Sequence, residues 1–211
     1  MRIALVDVGL GNRRSVHKAL EHVGATVYRA ETPEQLAGAD GLVLPGVGAF
    51  GEAMRRLRET GLGEAVKTAA AEGTPLLGLC LGMQLLFERS SELGEHAGLG
   101  LLGGGVDPLA AGGLKLPHIG WSALRVDQPA HPLMAELPNP LALYHVHSLV
   151  AAPVDPSIVL ATGDYGAQFP SIVASGPVMG AQCHPEKSSR DGLRLLANFV
   201  SICAARTSAV A

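Results

Sequence analysis

Over the first ninety positions, short apolar runs alternate with apolar residues at helical spacing. Arg2–Val6 reads as a strand, and Val16, Leu20 and Val23 follow at the spacing of a helix face. Thr26–Arg29 is β-like. Thr32, Pro33, Glu34 and Gln35 then form a capping box with proline at the first helical position. Gly41–Leu44 and Pro75–Leu79 read as buried strands, while Glu52–Thr60, Gly63–Glu72 and Met83–Ser91 carry helical patterns. Strands alternating with helices predict a parallel sheet covered on both faces.

The second half changes character. Residues 98–114 are glycine-rich and read as a turn-laden connection. Lys115–Val126, Leu141–Ala151, Ile158–Thr162, Ser171–Ala174 and Val178–Gln182 are β-like segments separated by proline and glycine, several of them expected to be antiparallel. Gly192–Ala205 closes the pattern as an amphipathic helix, with Leu193, Leu196, Phe199, Val200 and Cys203 on one stripe. The expected architecture is a single α/β domain over residues 1–211. It has an open, mostly parallel central sheet, helices on both faces and an antiparallel edge.

Composition narrows the class. Of 211 residues, 47% are hydrophobic and 17% charged, enough apolar material for a sizeable core and too much for global disorder. The 27 glycines show no Gly-X-Y period, so they point to tight turns and close backbone approaches. Sixteen basic and nineteen acidic residues leave a formal charge of −3 with no basic run, which argues against a nucleic-acid surface. No apolar stretch approaches the ~20 residues of a membrane-spanning helix. Three separated cysteines fit reduced thiols, and the N-terminus reads as a first strand, so a cytoplasmic protein is expected.

The sharpest local pattern is Gly78-Leu79-Cys80-Leu81-Gly82, between a buried strand and a helix. Such a turn holds its central residue in a strained conformation at a helix N-terminus, where a thiolate is favoured and the Leu81 N–H could serve an oxyanion. The same pattern also suits a small apolar cysteine filling a strand–helix junction. A thiol nucleophile needs a base, and a base needs an orienting group. His184-Pro185-Glu186 is the one histidine with a carboxylate two positions away. Residues two apart in extended chain face the same way, so Glu186 can hold one ring nitrogen of His184 and leave the other for Cys80. Cys183 then points to the opposite side, into the core. As an isolated pattern, His184 with Glu186 fits a solvated loop better.

Other patterns are weaker. His145-Val146-His147 places two histidines at i and i+2, but no third ligand lies at a diagnostic spacing for a metal; one is expected inward and one outward. Asp7–Asn12 has two glycines of a dinucleotide fingerprint, but Arg14 stands where the third belongs, so a turn packing the first helix on the sheet is the better reading. Pro45-Gly46-Val47-Gly48 follows a predicted strand whose carboxyl end should lie beside Cys80, and its N–H groups could complete an oxyanion hole. Gln84 is polar in an apolar stretch, which suits a ligand contact or a helix-surface position.

Together these residues resemble the class I glutamine amidotransferases. Within that class the chain is similar to the glutaminase subunits of imidazole glycerol phosphate synthases. The resemblance runs through Asp7–Asn12 with Ser15 and Val16, Leu44–Phe50, Gly78–Phe87, Lys115–Trp121, Val146–Ser148 and Gln182–Ser188. It implies that Cys80 attacks the glutamine side-chain amide, that His184 moves protons and that Glu186 orients it. It also implies an oxyanion held at Leu81 and by the Val47 and Gly48 loop. Glutamine would be gripped around Gly48, Gln84, Ser148 and Leu149. No cofactor is implied. The implied partner is a cyclase subunit, a (β/α)₈ barrel that takes up the ammonia, met around Asn12, Trp121 and Lys187. Val8, His145, Leu149 and Cys183 depart from the residues common in that family. A glutaminase subunit of another synthase, and a non-catalytic α/β binding protein, remain as alternatives.

Overall fold

The computed structural model describes residues 1–7, 9 and 12–210, the last two without their side chains. Four strands and three helices occupy the first eighty residues. They are β1 (Arg2–Val6), α1 (Arg13–His22), β2 (Thr26–Ala30), β3 (Gly41–Gly46), α2 (Phe50–Glu59), α3 (Leu62–Ala71) and β4 (Leu76–Cys80). The capping box at Thr32 starts a short 3-10 turn, Pro33–Leu36.

After Cys80 comes α4 (Leu81–Leu85), only five residues long, and then strands β5 (Phe87–Ser90), β6 (His96–Ala97) and β7 (Leu102–Pro108). The helix expected over Met83–Ser91 is therefore half helix and half strand, and the expected glycine-rich connection contains a full strand. The rest comprises β8 (His118–Val126), β9 (Leu141–His147), β10 (Leu149–Pro153), β11 (Val159–Asp164), β12 (Gln168–Ser175), β13 (Val178–Ala181) and α5 (Ser189–Val210).

The main sheet has nine strands in the order β2-β1-β3-β4-β13-β12-β11-β8-β9. Its first five pair in parallel and its last four add antiparallel. A second sheet, in the order β10-β7-β5-β6, was not foreseen. It splits the expected Leu141–Ala151 segment between two sheets, because the chain turns at Ser148.

Period-two alternation distributes the parallel strands between two cores. Ala4, Val6, Leu42, Leu44 and Leu76 meet α2, α3 and α4 on one face. Ile3, Leu5, Val43, Leu77 and Leu79 meet α1 and α5 on the other. Both cores lie under the same strand ends, so β3, β4 and β13 deliver their carboxyl termini side by side. Asp7, just past β1, accepts from the Gly9 N–H at 2.8 Å and pairs with Arg13 and Arg29. Burial would raise its carboxyl, but those partners hold it below the usual carboxylate range. The turn expected over Asp7–Asn12 includes Val8, Leu10 and Gly11, which lie outside the described residues.

Candidate active site

Cys80 ends β4 and caps α4 with φ 54° and ψ −112°, a region costly for a side chain. Close approach holds the turn in place. A Cβ on Gly82 would overlap the Leu44 carbonyl oxygen, and one on Gly78 would run into the Gly82 backbone. Only glycines let β3, β4 and α4 come this near, which is why Cys80 is flanked by them. Leu81 begins α4, so its N–H belongs to the first turn, where helices leave donors free of intrahelical partners. In-register pairing of Gly46 with Cys80 brings the Val47–Gly48 loop beside the same point, and Gly48 has φ +104°.

β13 runs parallel to β4 and leads through Gln182 to His184. His184 and Cys80 line the same cleft, and His184 Nδ1 donates to Glu186 Oε1 at 3.0 Å. Pro185–Lys187 is a 3-10 turn with His184 at its start, so the pair is brought together by a tight turn and not by extended chain. The turn is pinned, since Ser188 Oγ donates to the His184 carbonyl at 2.7 Å and accepts from the Tyr144 N–H at 2.9 Å. Burial alone would push the imidazole down, but the hydrogen bonds with Cys80 and Glu186 raise it to about 9. Cys183 is fully buried, as expected, and burial pushes its thiol well up.

These groups open into a cleft of about 330 Å³. Val47, Gly48, Cys80, Leu81 and His184 line it, with Gln84, Ser148 and Leu149 around them. Lys187 stands at its rim. Gln84 Nε2 donates to the Leu149 carbonyl at 3.3 Å and to Gln182 Oε1 at 3.0 Å, so it faces the site and not the helix surface. Asn12 and Trp121 lie outside the lining. Asn12 Nδ2 reaches Glu186 Oε1 at 3.5 Å, and Trp121 stands 54% exposed on the outward face of β8. A larger cleft of about 470 Å³ beside Asn12 is walled by Arg13, Arg14, His17, Lys18 and Arg29, and Cys80 does not line it.

Several lining residues were not anticipated: Glu92, Pro117, Val146 and His147. Glu92 arrives from the loop after β5, where its Oε2 accepts from the Phe50 N–H at 2.5 Å at the start of α2. Nothing in its spacing marks it. His145 and His147 are both buried, not split between two faces, because residues two apart on β9 share one side of the sheet. Their rings are held by protein partners, and no group of three or more His, Cys, Asp or Glu placed to hold a metal occurs among the described residues.

A nucleophile elbow with an adjacent carboxylate-oriented histidine is the apparatus of acyl transfer from an amide. Residues 4–203 match the model of the class-I glutamine amidotransferases, and the chain belongs to that family. It is 52% identical over 198 residues to the imidazole glycerol phosphate synthase subunit HisH of Symbiobacterium thermophilum, covering 94% of this chain and 92% of that protein. To the HisH subunit of Moorella thermoacetica it is 45% identical, over 93% of each chain. Among solved structures, PurLQS from Thermotoga maritima superposes with a TM-score of 0.78 at 20% identity, over 95% of this chain and 98% of that one, a likeness of fold.

Proposed function

We propose that this chain is the glutaminase subunit of an imidazole glycerol phosphate synthase, a single amidotransferase domain over residues 1–211 that acts in the cytoplasm. The observation that carries the reading is the Cys80–His184–Glu186 line at one wall of the cleft, together with 52% identity to a HisH subunit across nearly the whole chain.

In this reading Cys80 gives its thiol proton to His184, and its Sγ attacks the side-chain amide carbon of glutamine. The developing oxyanion takes hydrogen bonds from the Leu81 N–H and from the Val47–Gly48 loop; each such donor is typically worth ~10²–10³ in rate. The carbon–nitrogen bond then breaks, and His184, kept protonated at neutral pH by its raised pKa, gives its proton to the departing ammonia. A γ-glutamyl thioester remains on Cys80. His184 next takes a proton from water as that water attacks the thioester, and glutamate leaves. Glu186 orients the imidazole throughout. Gly48, Gln84, Ser148 and Leu149 hold the substrate, and the Glu92 carboxylate on the same cleft is placed to meet its ammonium group.

Ammonia passes to a cyclase subunit docked against Asn12, Trp121 and Lys187. Exposed Ile119 and Trp121 on one strand give that face an apolar character, and the Asn12–Glu186 contact ties it to the triad. Gly48 has open space around its α-carbon, so the oxyanion loop is free to reorient when the partner binds.

The test is glutamate release by wild type and Cys80→Ala, alone and with the cyclase and its nucleotide substrate. Activity that arises mainly with the liganded partner, and is lost in Cys80→Ala, supports the reading. Activity indifferent to the partner points to a stand-alone hydrolase, and none under any condition points to a binding protein.

A further inference from the structure

Strands β8 and β9 place His118 directly opposite His147, both turned inward and only 3% and 5% exposed. From there hydrogen bonds run without a gap to the nucleophile. Ser122 Oγ meets His118 Nε2 at 3.1 Å, and His118 Nδ1 meets His147 Nε2 at 3.0 Å. His147 Nδ1 meets the Leu149 carbonyl at 3.0 Å. That carbonyl also accepts from Gln84 Nε2, which donates its other proton to Gln182 Oε1; Gln182 Nε2 in turn approaches Cys80 Sγ at 3.8 Å.

A carbonyl can only accept, so His147 must carry its proton on Nδ1. The neutral ring then accepts at Nε2, which obliges His118 to donate from Nδ1 and to accept from the Ser122 hydroxyl at Nε2. Every tautomer in the chain is set by its neighbour. Both rings are kept neutral: burial lowers His118, and it brings His147 down to about 4 despite the Leu149 carbonyl. Tyr165 stacks on the His118 ring at 4.1 Å between centroids, and Phe169 packs edge-on to His147 at 4.9 Å.

We propose that His118 is a positioning residue for the glutaminase site. Its Nδ1–H fixes the His147 ring, which holds the Leu149 carbonyl and, through it, the Gln84 amide where the glutamine substrate is gripped. The inference rests on the glutaminase reading of the cleft and extends it to a residue that does not line the cleft. It also links the pocket to β8, whose opposite face carries Trp121.

The experiment compares His118→Phe with His118→Asn in the complex with the cyclase. Phenylalanine keeps the stacking on Tyr165 but leaves His147 Nε2 without a donor; asparagine restores an N–H near Nδ1. Loss of a neutral hydrogen bond predicts a KM for glutamine raised about 5–10-fold in His118→Phe, with kcat within about 2-fold. His118→Asn stays within about 2-fold of wild type in both. An unchanged KM in His118→Phe, or an equal rise in both variants, overturns the proposal. Imidazole nitrogen NMR of the free chain supplies the second readout: His147 and His118 should each be protonated on Nδ1 and bare on Nε2, and a His147 proton on Nε2 also overturns it. Wild-type complex that releases no glutamate sinks the glutaminase reading, while the tautomer spectrum still judges the histidine couple.

Discussion

His184 and Glu186 are joined by a 3.0 Å hydrogen bond inside one tight turn, with the glutamate side chain 1% exposed and its Oε2 lacking any hydrogen-bond partner. Apart from the Asn12 amide at 3.5 Å on Oε1, a carboxylate so placed acts on the imidazole. Glu186→Gln keeps the shape but presents a weaker acceptor and disturbs the ring tautomer. We predict a fall in kcat/KM for glutamine of about 10²–10⁴-fold with little change in KM, measured as glutamate release in the complex.

The same turn makes stability fall on the alkaline side. The folded pKa of His184, about 9, stands above its ordinary 6.5, so the folded chain keeps a proton that the unfolded chain has lost. The stabilisation is whole below about pH 6.5 and disappears as pH rises through about 9. Urea midpoints measured from pH 6 to 10, as order-of-magnitude bounds on that window, should drop in wild type and stay flatter in His184→Gln.

On the acid side the sign reverses. Burial, with the neighbouring His147 ring, depresses His145 to about 3, so only the unfolded chain is protonated as pH falls below 6.5. Stability is full above about 6.5 and is lost progressively toward about 3. Because His145 Nε2 pairs with Ser171 Oγ at 2.8 Å, the check is the double variant His145→Phe/Ser171→Ala, whose acid unfolding should begin at lower pH than that of wild type.

Gly82→Ala tests the packing of the elbow. The added Cβ would overlap the Leu44 carbonyl oxygen, backbone against backbone, where no side chain can yield. A loss of ~3 kcal/mol or more in folding stability is expected by chemical denaturation. Gly24→Ala, which meets open space but stands at φ +92°, should cost only about 1 kcal/mol.

Much of the parallel half was legible because its strands are continuous apolar runs and its helices keep a 3.6-residue period. The elbow was legible because glycines at both flanks of a cysteine answer a steric need that few other sites impose. Four features escaped. Phe87–Ser90 follows directly on the apolar run of α4, so its switch from helix to strand is set by pairing with β7 and not by local pattern. β7 itself contains Gly103, Gly104 and Gly105, a poor strand composition; Gly104 is there because a Cβ would collide with the Ala152 carbonyl on β10. Glu92 reaches the cleft from the loop after β5 with no motif around it, and the two inward histidines of β9 required the strand period to be applied to them as it was to His184 and Glu186.

The central claim is that Cys80 is the nucleophile, and it is tested most directly with a thiol-directed glutamine analogue. Wild-type complex would be titrated with the analogue, then digested, and the label located by mass spectrometry while residual glutaminase activity is followed. The account predicts one label per chain, on Cys80 alone, with activity lost in proportion and both protected by glutamine. Label on Cys183 or Cys203 to the same extent, or activity that survives full labelling of Cys80, would contradict it.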